Sequence, residues 1–243
     1  MASPPEDSAG DPAVQAVAAH ALALLADGAR VGLGSGRAAS AFITKLGERV
    51  RRGLRVVGVP TSEASARLAR EAGVPLIELD EGVELDLTVD GADEVAPNLD
   101  LVKGRGGALV RERIVASASK RQVILVGPHK LVRALGERGP IPVEVIPLAL
   151  GPVTRRLKAL GLAPAVRPDA GGTRPFRTEN GNLTLDCAVA RPLADERAAR
   201  DLEAALRAIP GVVDTGLFLG TAERVLVGHA DGHVDVLRRG RSG

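Results

Sequence analysis

The residues of this sequence best suited to chemistry are three carboxylates that directly follow a predicted strand. Asp90, Asp93 and Glu94 stand in the segment Val89-Asp90-Gly91-Ala92-Asp93-Glu94, and the ligands of parallel α/β sheets bind at the carboxyl ends of the strands. Carboxylates this close repel one another unless they are solvated, hydrogen-bonded or used in a reaction. An acidic turn and a metal site are the alternatives. The ligand spacing of an EF-hand is missing and the four histidines are scattered, so we predict no metal.

A glycine-rich turn, Gly32-Leu33-Gly34-Ser35-Gly36, lies between a predicted strand and a predicted helix. Glycines let a backbone approach a phosphate, and a helix N-terminus offers N–H groups with partial positive charge. The segment is neither a dinucleotide fingerprint, since Ala39 stands where a third glycine would be, nor a P-loop. A tight turn without any ligand is the alternative interpretation.

A second glycine-rich turn, Lys103-Gly104-Arg105-Gly106-Gly107-Ala108, opens another predicted helix. Lys103 and Arg105 stand where an anion would bind, and Glu112 lies near the start of the helix. The alternative is that Glu112 has a structural role, as an acidic residue that interacts favourably with the helix dipole. Together the three segments indicate a phosphorylated substrate and acid–base chemistry, because proton transfer next to a carbonyl needs a placed base and polar groups that stabilise an enediolate.

The elements that must position these residues alternate between strands and helices. Continuous or alternating apolar runs predict strands, and apolar residues three or four apart predict helices. The predicted strands of the first part are 30–33, 54–59, 75–79, 85–89 and 123–126, and the helices are 13–25 (ended by Asp27-Gly28), 38–50, 62–72 and 108–118, the last with Leu109, Ile114, Val115 and Ala118 inside. This alternation predicts a parallel sheet covered on both faces.

The pattern changes near Gly139-Pro140, where a smaller domain is expected. Its predicted strands are 143–146, 165–166, 183–189 and 212–213, and its helices are 153–160 and 193–208. The β-α-β-β-α-β order indicates a ferredoxin-like α+β domain. A last hairpin, 225–227 with 234–237, should return to the first domain. We therefore expect a disordered leader at 1–10, a catalytic domain of 11–138 with 213–243, and a small domain at 139–212.

Composition narrows the class of protein. Aromatic residues make up 1% of the chain and the net charge is +2, which disfavours base-stacking and electrostatic binding of nucleic acid. Cys187 is the only cysteine, so we expect no intrachain disulfide, a reducing compartment and a core role for this residue. The apolar stretch 13–26 is too short to span a bilayer. We predict a cytoplasmic protein that binds neither nucleic acid nor membrane.

Several blocks of the sequence resemble the signature of type A ribose-5-phosphate isomerases. They are 89–94, 103–109, 111–116, 142–147, 178–182 and 209–213, and they fall in the family's order from about residue 11 onward. The resemblance implies interconversion of D-ribose 5-phosphate and D-ribulose 5-phosphate through an enediolate, in the non-oxidative branch of the pentose phosphate pathway, without a cofactor. It also implies a Rossmann-like large domain, a ferredoxin-like small domain, and a homodimer or higher homo-oligomer.

The resemblance also implies roles for single residues. Glu112 would carry the proton between C1 and C2, Asp90 and Asp93 would assist ring opening and bind hydroxyls, and Lys103 would bind substrate. The implied catalytic residues are Glu112, Asp90, Asp93 and Lys103. The implied substrate-binding residues are Ser35, Gly36, Arg37, Ala38, Asp90, Gly91, Ala92, Asp93, Lys103, Gly104, Arg105, Gly106 and Lys130.

Some positions depart from the family, and two other functions stay open. Ser35-Gly36-Arg37-Ala38 stands where Thr-Gly-Ser-Thr is usual, Arg105 replaces a glycine, Arg113 replaces a lysine, and Val14 stands where some members have a lysine. Arg37 could hold phosphate through paired N–H bonds. The alternatives are a sugar-phosphate sensor, for which residues 1–28 offer only one helix, and an isomerase or deaminase acting on another sugar phosphate.

Overall fold

This computed structural model describes residues 11–239, which form a mixture of α-helices and β-strands. The helices are α1 (Pro12–Leu22), α2 (Arg37–Arg51), α3 (Glu63–Ala72), α4 (Leu109–Ser117), α5 (Leu150–Ala159) and α6 (Glu196–Arg207). The strands are β1 (Ala29–Leu33), β2 (Val56–Pro60), β3 (Leu87–Gly91), β4 (Glu94–Val95), β5 (Leu101–Val102), β6 (Gln122–Val126), β7 (Ile141–Val145), β8 (Ala163–Val166), β9 (Leu183–Ala188), β10 (Val212–Thr215), β11 (Leu217–Phe218), β12 (Arg224–Gly228) and β13 (Val234–Arg238). The leader expected at 1–10 lies outside the described residues.

Local capping sets several helix boundaries. The Ser62 side chain accepts from the backbone N of Ser65 at the start of α3, and Gly73 ends that helix at φ 79°. Helix α6 begins at Glu196, later than predicted, because the Asp195 side chain caps it. The predicted extension of α1 to Leu25 is wrong: the helix stops at Leu22.

The Cα positions divide into two compact units. The first comprises residues up to Gly91, Ile114–Lys130 and residues from Thr221 onward; the second comprises Ala92–Arg113 and Leu131–Gly220. This division differs from the domain boundaries predicted at 138/139 and 212/213. Residues 92–113 group with the smaller sheets because β4 and β5 form a sheet with β11, in the order β11-β5-β4.

The first unit is built on a six-stranded sheet with the order β13-β12-β6-β3-β1-β2. All neighbours are parallel except β12 and β13, which form the predicted hairpin. The main core packs α1, α2 and α3 against this sheet, with Val17, Phe42 and Leu46 fully or almost fully buried. A smaller cluster around Val59 and Val115 covers other sheet residues. The predicted parallel-sheet α/β fold is therefore confirmed.

The second unit contains an antiparallel sheet with the order β10-β7-β9-β8. With α5 and α6 its elements follow the β-α-β-β-α-β order, which confirms the ferredoxin-like α+β architecture. Alternate residues of the central strands, such as Val143 and Leu185, enter the core with Val153 and Leu206. The other face of the strands carries polar side chains, including Glu144.

Two further predictions are wrong. The strand predicted at 75–79 is only an isolated bridge between Gly58 and Leu76. Ile114, predicted to lie inside, is 50% exposed. Among residues 11–239, no helix is long and apolar enough to cross a membrane.

Candidate active site

Within the first unit, the predicted site residues gather at the carboxyl ends of neighbouring strands. Ser35 follows β1, Asp90 stands near the end of β3, and Lys130 follows β6 in a 3₁₀ turn, Pro128–Lys130. Since β6, β3 and β1 are adjacent and parallel, these residues share one edge of the sheet. This is the edge where α/β sheets bind ligands.

Asp90 fixes the first glycine turn. The residue is fully buried, and its Oδ1 accepts from the backbone N of Ser35 at 3.0 Å and of Gly91 at 2.8 Å. A Cβ added at Gly34 would lie 2.5 Å from the Asp90 Cα. Only glycine therefore allows the turn to approach β3 this closely, and the carboxylate holds it there.

The Ser35 hydroxyl belongs to a cluster of hydroxyl groups that was not predicted from the sequence. Its Oγ lies 2.9 Å from Thr61 Oγ1, 2.9 Å from Ser62 Oγ and 3.3 Å from Ser65 Oγ. Ser65 Oγ also donates to the carbonyl of Gly34 at 2.7 Å. The sequence feature that could have predicted this cluster is the position of Thr61 and Ser62. They directly follow β2, which is the strand next to β1. The cluster holds the turn in place from the β2 side.

The N-terminus of α2 is open to an anion. Gly36 has φ 87°, and among the described residues no side chain makes a capping hydrogen bond to this helix end. Arg37, the first helical residue, is exposed, and Ala38 is half-buried. The N–H groups of a first helical turn lack intrahelical partners and carry partial positive charge. The segment can therefore bind a phosphate, with Arg37 as an adjacent cation.

Within the second unit, Lys103 and Glu112 form a buried ion pair. Lys103 Nζ lies 3.3 Å from Glu112 Oε2, and the two side chains are 3% and 8% exposed. Lys103 follows β5, and its backbone N donates to the carbonyl of Gly216 at 2.9 Å. Glu112 stands in the first turn of α4. Two charges are rarely withdrawn from water for stability alone, so this pair is a candidate for acid–base chemistry.

The remaining carboxylates of the acidic segment have structural contacts in the second unit. Asp93 Oδ2 accepts from the backbone N of Arg105 at 3.0 Å. The fully buried Glu94 accepts from the backbone N of Gly136 at 2.6 Å and of Arg138 at 2.8 Å. Hydrogen bonding therefore explains how these carboxylates can lie so close in sequence.

Arg105 directs its side chain toward the 136–138 segment. Its Nη2 donates to the carbonyl of Arg138 at 3.1 Å and lies 4.0 Å from Glu94 Oε1. Since the backbone N of Arg105 is bonded to Asp93, the backbone of the glycines on either side remains the part of the turn that can contact a substrate.

Arginines on both sides of Glu112 anchor its helix, which the sequence did not reveal. Arg113 bonds to Asp214 and lies 4.1 Å above the Phe218 ring. Burial lowers the pKa of the Arg113 guanidinium, while the Asp214 carboxylate acts in the opposite direction. Arg111 donates to Glu179 Oε2 at 2.8 Å. The backbone around Glu112 is therefore held from two directions.

Cys187 lies in the core, as predicted. It is fully buried, and burial raises the pKa of its thiol to about 12. A thiol in this state is a poor nucleophile. Among residues 11–239, no group of three or more His, Cys, Asp or Glu side chains is arranged to hold a metal ion.

Comparisons with known proteins agree on one family. The family model of ribose 5-phosphate isomerase A (phosphoriboisomerase A) matches residues 57–232. The ribose-5-phosphate isomerase A of Roseiflexus sp. (strain RS-1) is 49% identical over 224 residues, which cover 91% of this chain and 94% of that protein. That of Deinococcus radiodurans is 45% identical over 91% of this chain and 96% of that protein.

Solved structures give the same result. Ribose 5-phosphate isomerase A from Methanocaldococcus jannaschii matches with a TM-score of 0.86 and 41% identity, over 93% of this chain and 97% of that one. A D-ribose-5-phosphate isomerase in complex with phospho-erythronic acid matches with a TM-score of 0.87 and 38% identity, over the same shares of the two chains. The chain therefore belongs to the ribose 5-phosphate isomerase A family, a family of isomerase enzymes.

Proposed function

We propose that this chain interconverts D-ribose 5-phosphate and D-ribulose 5-phosphate by proton transfer through an enediolate. The observation that carries the proposal is the buried pair of Lys103 and Glu112, with 3.3 Å between Nζ and Oε2. A carboxylate in a fixed position can accept a proton from carbon, and an adjacent ammonium can stabilise the negative charge that then develops on oxygen.

Glu112 acts as the proton carrier. Its carboxylate removes the proton from C2 of the open-chain aldose, and the electron pair left behind forms the C1–C2 double bond while the C1 carbonyl oxygen becomes negative. The proton on O2 passes to O1, and Glu112 returns its own proton to C1. The product is a ketose with its carbonyl at C2, and no atom is gained or lost. Lys103 stabilises the oxygens of the enediolate.

The remaining predicted residues bind and prepare the substrate. The segment Ser35–Ala38 at the start of α2 and the cation of Lys130 bind the phosphate group. Asp90 and Asp93 bind hydroxyls and assist the opening of the sugar ring. Gly91, Ala92 and the turn Gly104–Gly106 contact the sugar through their backbone. The phosphate-bearing ligand named for one similar structure supports a phosphate-binding function.

The cellular setting is proposed on the same basis. The family supports a place in the non-oxidative branch of the pentose phosphate pathway, without a cofactor. Cys187, a buried free thiol, supports a reducing compartment such as the cytoplasm. The exposed apolar side chains of Ile146 and Leu148, 48% and 91% accessible, support association into a homodimer or higher homo-oligomer.

Turnover of three sugar phosphates, measured side by side, tests the proposal. The purified protein should convert ribose 5-phosphate at a far higher kcat/KM than arabinose 5-phosphate or glucosamine 6-phosphate. Preferred turnover of one of the other two would assign a different isomerase or deaminase substrate. Saturable binding of ribose 5-phosphate without product would instead indicate a sugar-phosphate sensor.

A further inference from the structure

Arg167 is a mostly buried cation of the second unit to which the proposed reaction gives no role. It directly follows β8, and its side chain is 12% exposed. The guanidinium pairs with Asp186 of β9 through two bonds, Nε to Oδ2 at 2.9 Å and Nη2 to Oδ1 at 2.5 Å. A two-bond arginine–carboxylate pair fixes the plane of the guanidinium as well as its position.

The remaining nitrogen of Arg167 reaches the second glycine-rich turn. Nη1 donates to the carbonyl of Gly104 at 2.8 Å and to the carbonyl of Arg105 at 3.0 Å. Phe176, whose backbone N donates to the Arg167 carbonyl at 2.8 Å, contacts the same turn, since a Cβ added at Gly107 would lie 2.4 Å from its Cζ. The 167–176 segment therefore holds the turn at two points.

These contacts orient two successive peptide groups. A trans peptide places its N–H opposite its C=O. In the first peptide, the Gly104 carbonyl faces Arg167 and the Arg105 N–H donates to Asp93 Oδ2 at 3.0 Å. In the second, the Arg105 carbonyl faces Arg167, so the Gly106 N–H points away from the guanidinium. A cation bonded to a carbonyl also polarises the peptide and strengthens its N–H as a donor.

We propose that Arg167 is a positioning residue for the reaction: it holds the Gly106 N–H in the orientation that donates to the oxygen of the developing enediolate. The inference rests on the proposed function, in which Lys103 and Glu112 carry the reaction. The turn connects Lys103 to the helix that carries Glu112. A fixed donor that meets charge only in the transition state changes kcat more than KM. Arg167 itself touches the turn and not the substrate.

The test replaces Arg167 by methionine, which keeps much of the side-chain volume and removes the contacts with both carbonyls. Removing an oxyanion donor outright lowers kcat about 10²–10³-fold. Losing only its orientation should lower kcat by about tenfold or more, with a smaller change in KM. The kcat of Arg167→Lys should lie between those of the unmodified protein and Arg167→Met. An ammonium is a point charge that cannot bind Asp186 and both carbonyls at the same time.

Arg177→Met is the matched control. Arg177 is exposed and its Nη1 donates to the Gly181 carbonyl at 3.0 Å within its own hairpin. The chemical change is the same, in a nearby segment, and the glycine-rich turn keeps its contacts. We expect kcat and KM of this variant to equal those of the unmodified protein.

The outcomes separate this inference from the proposed function. Turnover of ribose 5-phosphate by the unmodified protein in the same assay establishes the function. A lower kcat in folded Arg167→Met, with a normal Arg177→Met, supports the inference; unchanged kcat, a change in KM alone, or equal losses in both variants overturns it. If Arg167→Met does not fold, Asp186→Asn is tested in its place, because it keeps the guanidinium but weakens its orientation. A lower kcat of Asp186→Asn at similar KM supports the inference. A normal kcat of this variant overturns it.

Discussion

Replacing Glu112 by glutamine removes the proposed proton carrier and changes little else in shape. The carboxylate lies 3.3 Å from Lys103 Nζ, in a pair whose side chains are 3% and 8% exposed. General acid–base catalysis typically contributes about 10²–10⁴-fold to a rate. We therefore expect kcat of Glu112→Gln to fall by at least about 10²-fold, with KM much less affected.

The same substitution should lower stability, because it leaves the Lys103 charge buried without its carboxylate. Breaking a buried pair by removing one partner costs about 3–5 kcal/mol, and about 2–4 °C of Tm is lost per kcal/mol in a chain of this size. The expected decrease in Tm is about 6–20 °C. The double variant Lys103→Met/Glu112→Gln removes both charges of this pair, so its Tm should be higher than that of Glu112→Gln while its activity stays low.

The assay follows ketose formation from saturating ribose 5-phosphate at a temperature well below the Tm of every variant. Glu84→Gln is the matched control, because Glu84 pairs with Lys120 at 3.2 Å, away from the candidate site, and its side chain is 68% exposed. Such pairs contribute about 0–1 kcal/mol, so Tm and turnover should be nearly unchanged. A kcat loss below about tenfold in Glu112→Gln, short of what a general base supplies, would refute the assignment of Glu112.

Other consequences can be measured independently. Arg37→Ala should raise KM with kcat preserved, because a phosphate contact binds ground state and transition state equally; an unchanged KM would show that Arg37 has no contact with phosphate. Gly34→Ala should cost about 1–3 kcal/mol by overpacking and raise KM, since its Cβ would lie 2.5 Å from Asp90 Cα. Gly151→Ala is its control: beyond its chain neighbours and its own helix backbone, a Cβ there meets no described atom within 4 Å, and chemical denaturation should find no loss of stability. The Cys187 thiol, with its pKa raised to about 12 by burial, should resist alkylation at pH 8 until the protein unfolds; rapid labelling of native protein would contradict this.

The long, periodic elements could be predicted from sequence because their own residues determine them. Helix α3 has a capping serine at Ser62, a left-handed Gly73 and a buried face between them, and each of these signals is local. The strands β4, β5 and β11 have two residues each. Such strands are too short for any apolar period, and their pairing depends on residues far apart in the chain.

The composition of the candidate site could be predicted, but its internal contacts could not. Strand ends and glycine turns pointed to Ser35, Asp90 and Lys103 as site residues. That Asp90 fixes the Ser35 turn, and that Arg167 holds the Gly104 carbonyl, depends on side chains meeting from distant parts of the chain. A single sequence carries no local signal for such contacts between distant residues.

Proton NMR with ribose 5-phosphate in deuterated water, with EDTA present, tests the central claim most directly. Proton transfer through Glu112 predicts that ribulose 5-phosphate appears and that deuterium enters at C1 of the ketose, because the carried proton can exchange with solvent. On long incubation deuterium should also enter C2 of the remaining aldose, and Glu112→Gln should slow both incorporations by at least about 10²-fold. Failure of the unmodified protein to form the ketose, or equal deuterium incorporation by Glu112→Gln, would contradict the account.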